Sequence, residues 1–180
     1  FYANIEKYNK KIILRPQEIS NNGEVARRLG VIAMNTALEM DIYGHVNSTH
    51  VSGTKLMNGI GGSGDFARNG FLSCFFCHST AKGVKISAVV PMCSHVDHTE
   101  HDTHVFISEQ GVADVRGLSP KERAKVIINN VAHPSFRDQL MDYYERACAA
   151  CGESQTPHLL QEAFKFHESL AENGDMHFKK

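Results

Sequence analysis

The chain has 180 residues, 42% of them hydrophobic, with 19 basic and 20 acidic side chains and a formal net charge of -1. That length and apolar content support one folded domain with its own core, and the near-neutral balance removes the electrostatic case for nucleic acid or an anionic membrane surface. No apolar run is long enough to span a bilayer, and no signal-peptide core accompanies the scattered Lys7, Lys10, Lys11 and Arg15, so the chain reads as soluble.

The first residue is Phe1 rather than Met, which suggests a domain whose start lies elsewhere. Ile12 and Ile13 precede the break at Arg15-Pro16, and a strand ending at Leu14 is expected. Asn and Ser residues before Glu24 form a helix-start signature, so residues 24–29 should be helical, with Asn21 also able to point into a site. The mostly apolar run 30–37 fits a buried strand, and 39–44 a turn or a second strand edge.

Residues 46–66 read VNSTHVSGTKLMNGIGGSGDF and join a β-branched polar segment to Gly59, Gly61, Gly62 and Gly64 before DFAR, a plausible helix start. So much glycine means a backbone at positive φ or in close approach to something. Two readings stand side by side: N–H groups gathered for a phosphate or an oxyanion, or a tight turn that binds nothing.

Residues 71–78 and 85–90 look like neighbouring antiparallel strands, with Ala81, Lys82 and Gly83 at or near the turn, where a lysine is usually solvated. Five cysteines, an odd number without a secretory signal, fit free thiols in a cytosol-like compartment. The pairs Cys74/Cys77 and Cys148/Cys151 offer zinc ligand types without a matched spacing, so no metal site is expected. His95, His98, His101 and His104, interleaved with Asp97, Glu100 and Asp102, would fan around a helix rather than converge. A polar loop of mutually bonded residues is the favoured reading, with a metal site as the lesser one.

Residues 105–111 resemble a buried strand delivering Ser108, Glu109 and Gln110 at its carboxyl end, where open α/β sheets bind ligands. By position Glu109 is the leading acid/base candidate, with a cap or a salt bridge to Arg116 as the alternative. Ser119-Pro120 with Glu122 starts a helix, His133-Pro134 stops it, and residues 136–150 form a second with Leu140, Tyr143, Tyr144 and Ala147 on one stripe. Thr156-Pro157 opens a third, to about Leu170, and the tail 172–180 is expected across the surface.

The runs LRPQEISN, NGIGGSGDFARN, STAKG, VPMCSHVDHTEHD, SEQGVADVRGLSP and HPSFRDQLMDYYERA together resemble the C-terminal domain of the acetyl-CoA hydrolase/CoA-transferase family. The likeness is closest to its succinyl-CoA:acetate CoA-transferase and acetyl-CoA hydrolase branch, and it covers nearly all of the chain. It implies an α/β fold, an open mixed sheet with flanking helices, similar to the second domain of a class I-type CoA-transferase (NagB/RpiA/CoA-transferase-like). Residues 1–180 would then be that C-terminal domain, with its start and a whole N-terminal domain lying outside the sequence.

The resemblance further implies CoA transfer between small carboxylates such as acetate and succinate through a glutamyl-CoA thioester, or hydrolysis of acetyl-CoA. The nucleophilic glutamate is expected upstream, and no residue here matches it. By motif, Gly62 resembles the glycine whose N–H lies in the oxyanion and CoA site, Asn58 and Lys82 resemble CoA contacts, Asn21 an active-site amide and Glu109 a supporting carboxylate. Coenzyme A enters as substrate with no tightly bound cofactor, and the implied partners are acyl-CoA, a carboxylate, the N-terminal domain and a second copy in a homodimer. The expected location is cytoplasmic, or mitochondrial in a eukaryote. A CoA- or nucleotide-binding module without catalysis is the rival reading.

Overall fold

The computed structural model describes residues 1–178. After a 3-10 turn at Tyr2–Asn4, the elements run α1 (Ile5–Tyr8), α2 (Gln17–Ser20), α3 (Gly23–Leu29), β1 (Ile32–Thr36), β2 (Glu39–Asp41), β3 (Val46–Asn47), β4 (His50–Val51) and β5 (Lys55–Leu56). They continue with α4 (Ser63–Asn69), β6 (Leu72–Phe76), β7 (Thr80–Ala81), β8 (Ile86–Ser87), β9 (Val89–Val90), β10 (Val105–Ser108), β11 (Gly111–Asp114), α5 (Pro120–Asn130), α6 (Pro134–Cys151) and α7 (Lys165–Asn173).

Strand β6 lies between β1 and β10 and runs parallel to both, pairing Thr36 with Phe76 on one side and Phe76 with Ile107 on the other. The carboxyl ends of the three strands therefore share one edge of the sheet. Strand β11 completes the sheet antiparallel to β10. A smaller sheet, β3-β2-β9, and the hairpins β4–β5 and β7–β8 stand beside it. The architecture is the expected open mixed α/β sheet with flanking helices.

Ser73, Cys74 and Phe75 of β6 are all buried, so both faces of this central strand are covered. Phe75, Phe106, Ile127, Ile128, Phe136 and Leu140 are fully buried in one cluster that joins the sheet to α5 and α6. The helices begin where local chemistry satisfies their free N–H groups. Asn22 accepts from Glu24 and Val25 at the start of α3, Ser119 and Glu122 form a capping box at α5, and His133 accepts from Ser135 at α6. Gly30, at φ 64°, ends α3 in the left-handed region.

Several expectations are corrected. No strand ends at Leu14: residues 1–20 form short helical turns and extended chain, all exposed. The run 30–37 contains an edge strand, not a buried one, with Ile32 and Met34 at 55% and 72% exposure. Residues 71–78 and 85–90 do not pair with each other, because β6 takes its partners in parallel and the hairpin is instead β7–β8. His133-Pro134 opens α6 rather than closing α5, which ends at Asn130. The third helix starts at Lys165, and the tail, expected on the surface, returns to the core through Met176, 2% exposed.

Candidate functional site

Around the shared carboxyl edge of β1, β6 and β10 lies a run of connected hollows. The first, of ≈ 260 Å³, is bounded by Asn35, Thr36, Ser48, Asn58, Gly59 and Ser63. Thr36 also borders the second, of ≈ 330 Å³, with Phe76, Cys77, His78 and Glu109. His78 leads to a third of ≈ 210 Å³ that includes Leu38 and Ala81, and these two border a last cleft of ≈ 330 Å³ with Lys82, Met57 and His167. The first two hollows border the ends of the parallel strands, where an open α/β sheet exposes backbone and loop groups to a ligand, and the other two lie beside the β7–β8 hairpin.

The glycine loop stands at the head of this run. Gly61 is at φ 58°, the left-handed region glycine adopts freely, whereas Gly62 serves a different purpose. At φ -91° its backbone would accept a side chain, but a Cβ there would overlap the Asn21 amide nitrogen. Both uses of glycine expected from the sequence, positive φ and close approach, occur in adjacent residues. The structure thus brings together Gly62 and Asn21, which are 41 positions apart, and leaves capping of α3 to Asn22. Asn21 is half-buried, accepts from Ser20 Oγ at 2.9 Å and lies 3.5 Å from Asp65 Oδ2. Asn58 donates its amide to the carbonyls of Ser48 (2.9 Å) and Gly59 (3.1 Å), tying the loop to the segment after β3.

Lys82 is exposed at the tip of the β7–β8 hairpin at φ 50°, with Val84 also left-handed at φ 69°. Lysine and β-branched valine both avoid that region, so the tip holds a conformation its residues do not favour. Glu109 follows β10, as expected, but its partner is Ser79 rather than Arg116. The Ser79 N–H donates at 2.9 Å and its hydroxyl also bonds the carboxylate, while Arg116 pairs with Asp114 at 2.6 Å. Desolvation works to raise the Glu109 pKa, yet the Ser79 hydroxyl and N–H bonds outweigh it and hold the carboxyl down at about 2. Glu109 is ionised throughout the neutral range, which suits an orienting carboxylate better than a proton acceptor.

The histidine string is self-bonded only in part. His95 meets Asp97 at 3.3 Å and His101 meets Glu100 at 3.5 Å, but the His104 ring accepts from the Ser73 N–H and His98 is fully buried against Ser63. Among the described residues no three His, Cys, Asp or Glu side chains converge as a metal would require. All five cysteines are free, and burial pushes the Cys77 thiol up to about 12, which removes it as a nucleophile at neutral pH. No described helix is long and apolar enough to cross a membrane. Sequence reasoning missed Ser79, Asp97 and His98 as supports of the site. The signal for Ser79 was present in STAKG, but its carboxylate partner is 30 residues away.

The class of protein the fold defines is an open mixed α/β domain with flanking helices, a glycine loop and hollows near its strand ends. The profile of the acetyl-CoA hydrolase/transferase C-terminal domain matches residues 1–144, and the chain belongs to that family. It is 59% identical over 176 residues to the succinyl-CoA:acetate CoA-transferase of Clostridium kluyveri, covering 98% of this chain and 32% of that protein. It is 51% identical over 187 residues to the acetyl-CoA hydrolase of Yarrowia lipolytica, covering 100% of this chain and 36% of that one. Among solved structures, RipA from Yersinia pestis superposes with a TM-score of 0.66 at 32% identity, over 73% of this chain and 31% of its own. A 4-hydroxybutyrate CoA-transferase from Porphyromonas gingivalis gives 0.57 at 27%, over 73% and 31%. The chain thus spans about a third of the length of the curated relatives it matches.

Proposed function

We propose that this chain is the C-terminal domain of an acyl-CoA enzyme that moves CoA between small carboxylates through a glutamyl-CoA thioester, or hydrolyses acetyl-CoA. The observation that carries the reading is the glycine loop, whose Gly62 touches Asn21 and whose Gly59 and Ser63 line the first of a series of hollows, the last of them beside Lys82. An elongated ligand with a reactive carbonyl at one end and phosphates toward the other matches that layout. N–H groups of the glycine loop and the Asn21 amide stabilise charge developing on the thioester oxygen, Asn58 and Lys82 hold the CoA, and Glu109 orients from the neighbouring strand end.

The nucleophile is a glutamate outside these residues. Its carboxylate attacks the thioester carbonyl and releases CoA thiolate, which then attacks the glutamyl carbonyl of the resulting anhydride and displaces the acyl group as a free carboxylate. A second carboxylate or water completes the cycle. CoA is substrate, no tightly bound cofactor takes part, and the partners are acyl-CoA, a carboxylate, the remaining part of the protein and a second copy. The cytoplasm, or the mitochondrion of a eukaryote, is the proposed location.

The test is trapping. A longer protein carrying this domain is incubated with acyl-CoA and reduced with borohydride, and the reduced glutamate should lie outside residues 1–180 with Glu109 unmodified. Glu109→Gln should slow turnover, as loss of an orienting carboxylate would, and still allow the adduct to form. Reduction found at Glu109, or turnover by this chain by itself, would overturn the assignment; CoA binding without turnover by the longer protein would favour a binding module.

A further inference from the structure

Two adjacent residues of the histidine-rich segment hold opposite ends of the glycine loop. Asp97, with a side chain 7% exposed, accepts through Oδ2 from the Ser48 N–H (2.8 Å), the Ser48 hydroxyl (3.3 Å) and the Thr49 hydroxyl (2.8 Å). The carbonyls of those two residues are what the start of the loop hangs from: Ser48 O accepts the Asn58 amide at 2.9 Å and Thr49 O accepts the Met57 N–H at 2.8 Å. His98 acts at the other end. Its Nε2 lies 2.9 Å from Ser63 Oγ, and that hydroxyl donates to the Ile60 carbonyl at 3.0 Å.

The single hydroxyl hydrogen of Ser63 is committed to Ile60, so Nε2 of His98 carries the proton of the other bond. Nδ1 is then a bare lone pair, buried without a partner, which agrees with a ring kept neutral as burial lowers its pKa. A second proton on that ring would have no acceptor. The ring itself cannot drift, because its backbone bridges Val46 with bonds of 2.9 and 3.1 Å and its face lies 4.9 Å from Phe75.

We infer that Asp97 and His98 are positioning residues for the acyl-CoA site, fixing the two ends of the loop that carries Asn58 and Gly62 without themselves touching substrate. The inference rests on the proposed function only for its catalytic consequence; the clamp on the loop is a property of the domain. Because the two residues are neighbours on a segment paired to Val46, both loop ends are referred to one rigid reference, which preorganised donors require.

The test separates the two parts. Amide hydrogen exchange at Phe66, whose N–H bonds the Gly62 carbonyl at 3.3 Å, is compared for wild type, His98→Phe, His98→Gln and Ser63→Ala, with urea unfolding as the control for global stability. Phenylalanine keeps the ring contact and loses the donor, whereas the glutamine amide can restore it. Exchange should rise about tenfold in His98→Phe and Ser63→Ala, the fold-change of one net hydrogen bond, and stay near wild type in His98→Gln. In the longer protein kcat should fall about tenfold in the first two variants with KM within about twofold, and glutamine should rescue it. Unchanged exchange in both variants, or glutamine and phenylalanine behaving alike, overturns the clamp. A loosened loop with unchanged kcat overturns the positioning role. A longer protein without acyl-CoA turnover would refute the functional reading instead, and the exchange comparison would still decide the clamp. Should His98→Phe fail to fold, Ser63→Ala breaks the same link from the loop side.

Discussion

Substituting Gly62 by alanine tests the site at its narrowest point. At φ -91° and ψ 7° the backbone accepts a side chain, and the restricted unfolded chain would then favour the alanine variant by about 0.4–1 kcal/mol. The weaker performance of alanine at a helix N-cap works in the other direction. Neither effect involves Asn21, whereas the new Cβ would occupy the place of its amide nitrogen. Asn21 must rotate away and lose its 2.9 Å bond from Ser20 Oγ and its longer contact with Asp65, worth roughly 0.5–1.5 kcal/mol together in so solvated a setting. The backbone effects cancel in a double-mutant cycle with Asn21→Ala, leaving a coupling of about 1 kcal/mol. Urea unfolding of the four proteins measures it. In the longer protein, Gly62→Ala, Asn21→Ala and the double variant should lose similar amounts of turnover, since each removes the same amide from the same place. Strict additivity in stability and in turnover would refute the reasoning, because it would mean that Gly62 does not act on Asn21.

Lys82→Ala should raise KM for acyl-CoA with little change in kcat, as expected for a phosphate contact made equally in ground and transition states; steady-state kinetics decide it, and a collapse of kcat at constant KM would place Lys82 at the reacting carbonyl. Ser79→Ala should let the Glu109 pKa climb from about 2 toward the ordinary value near 4.5, visible in a carbon-detected NMR titration of the carboxyl. The stability that Glu109 contributes is present above its unfolded pKa and lost as pH falls through about 2, so the variant should have less of it to lose and should complete that loss at a higher pH during acid unfolding. His45 is the opposite case. Its ring lies between Asp41 at 3.0 Å and Glu100 at 2.5 Å, and the Asp41 hydrogen bond, followed in size by an opposing burial effect, raises its pKa. Its stabilisation is therefore complete below about pH 6.5 and fades as pH rises through the folded value, and His45→Gln should flatten that part of the urea-midpoint profile.

What could be read from the sequence was what local chemistry decides. The capping box at Ser119 and Glu122, the cap before α3, the positive φ in the glycine loop at Gly61 and the strand that delivers Glu109 all depend on neighbours within a few residues. What could not be read was set by partners far along the chain. Residues 71–78 have the pattern of a hairpin strand, and only the parallel pairing of β6 with Thr36 and Ile107 decides otherwise. Ile32 and Met34 look like core residues because apolar character cannot tell an edge strand from a central one. His98 reads as loop polarity because its burial depends on Phe75, Val46 and Ser63, none of them near it in sequence. Glu109 and Asn21 were legible by position and the roles of all five candidate residues by motif resemblance; that Gly62 and Asn21 touch is a fact of the fold.

The return of the tail to the core has an evolutionary consequence. Met176 donates its N–H to the Lys85 carbonyl at 2.8 Å, accepts the Ser87 N–H on its sulfur at 3.2 Å, and receives Gln139 on its carbonyl at 3.0 Å. It thereby fastens the hairpin that carries Lys82 to α6, yet it lies beyond residue 144, where the family profile ends. A segment beyond the matched profile, though aligned with the curated relatives, thus braces a hairpin that lies inside it. On the proposed reading of Lys82 as a CoA contact, substitutions in this tail can move the hairpin while every motif residue stays unchanged, a route by which relatives can diverge in how they hold CoA without divergence in the residues that hold it.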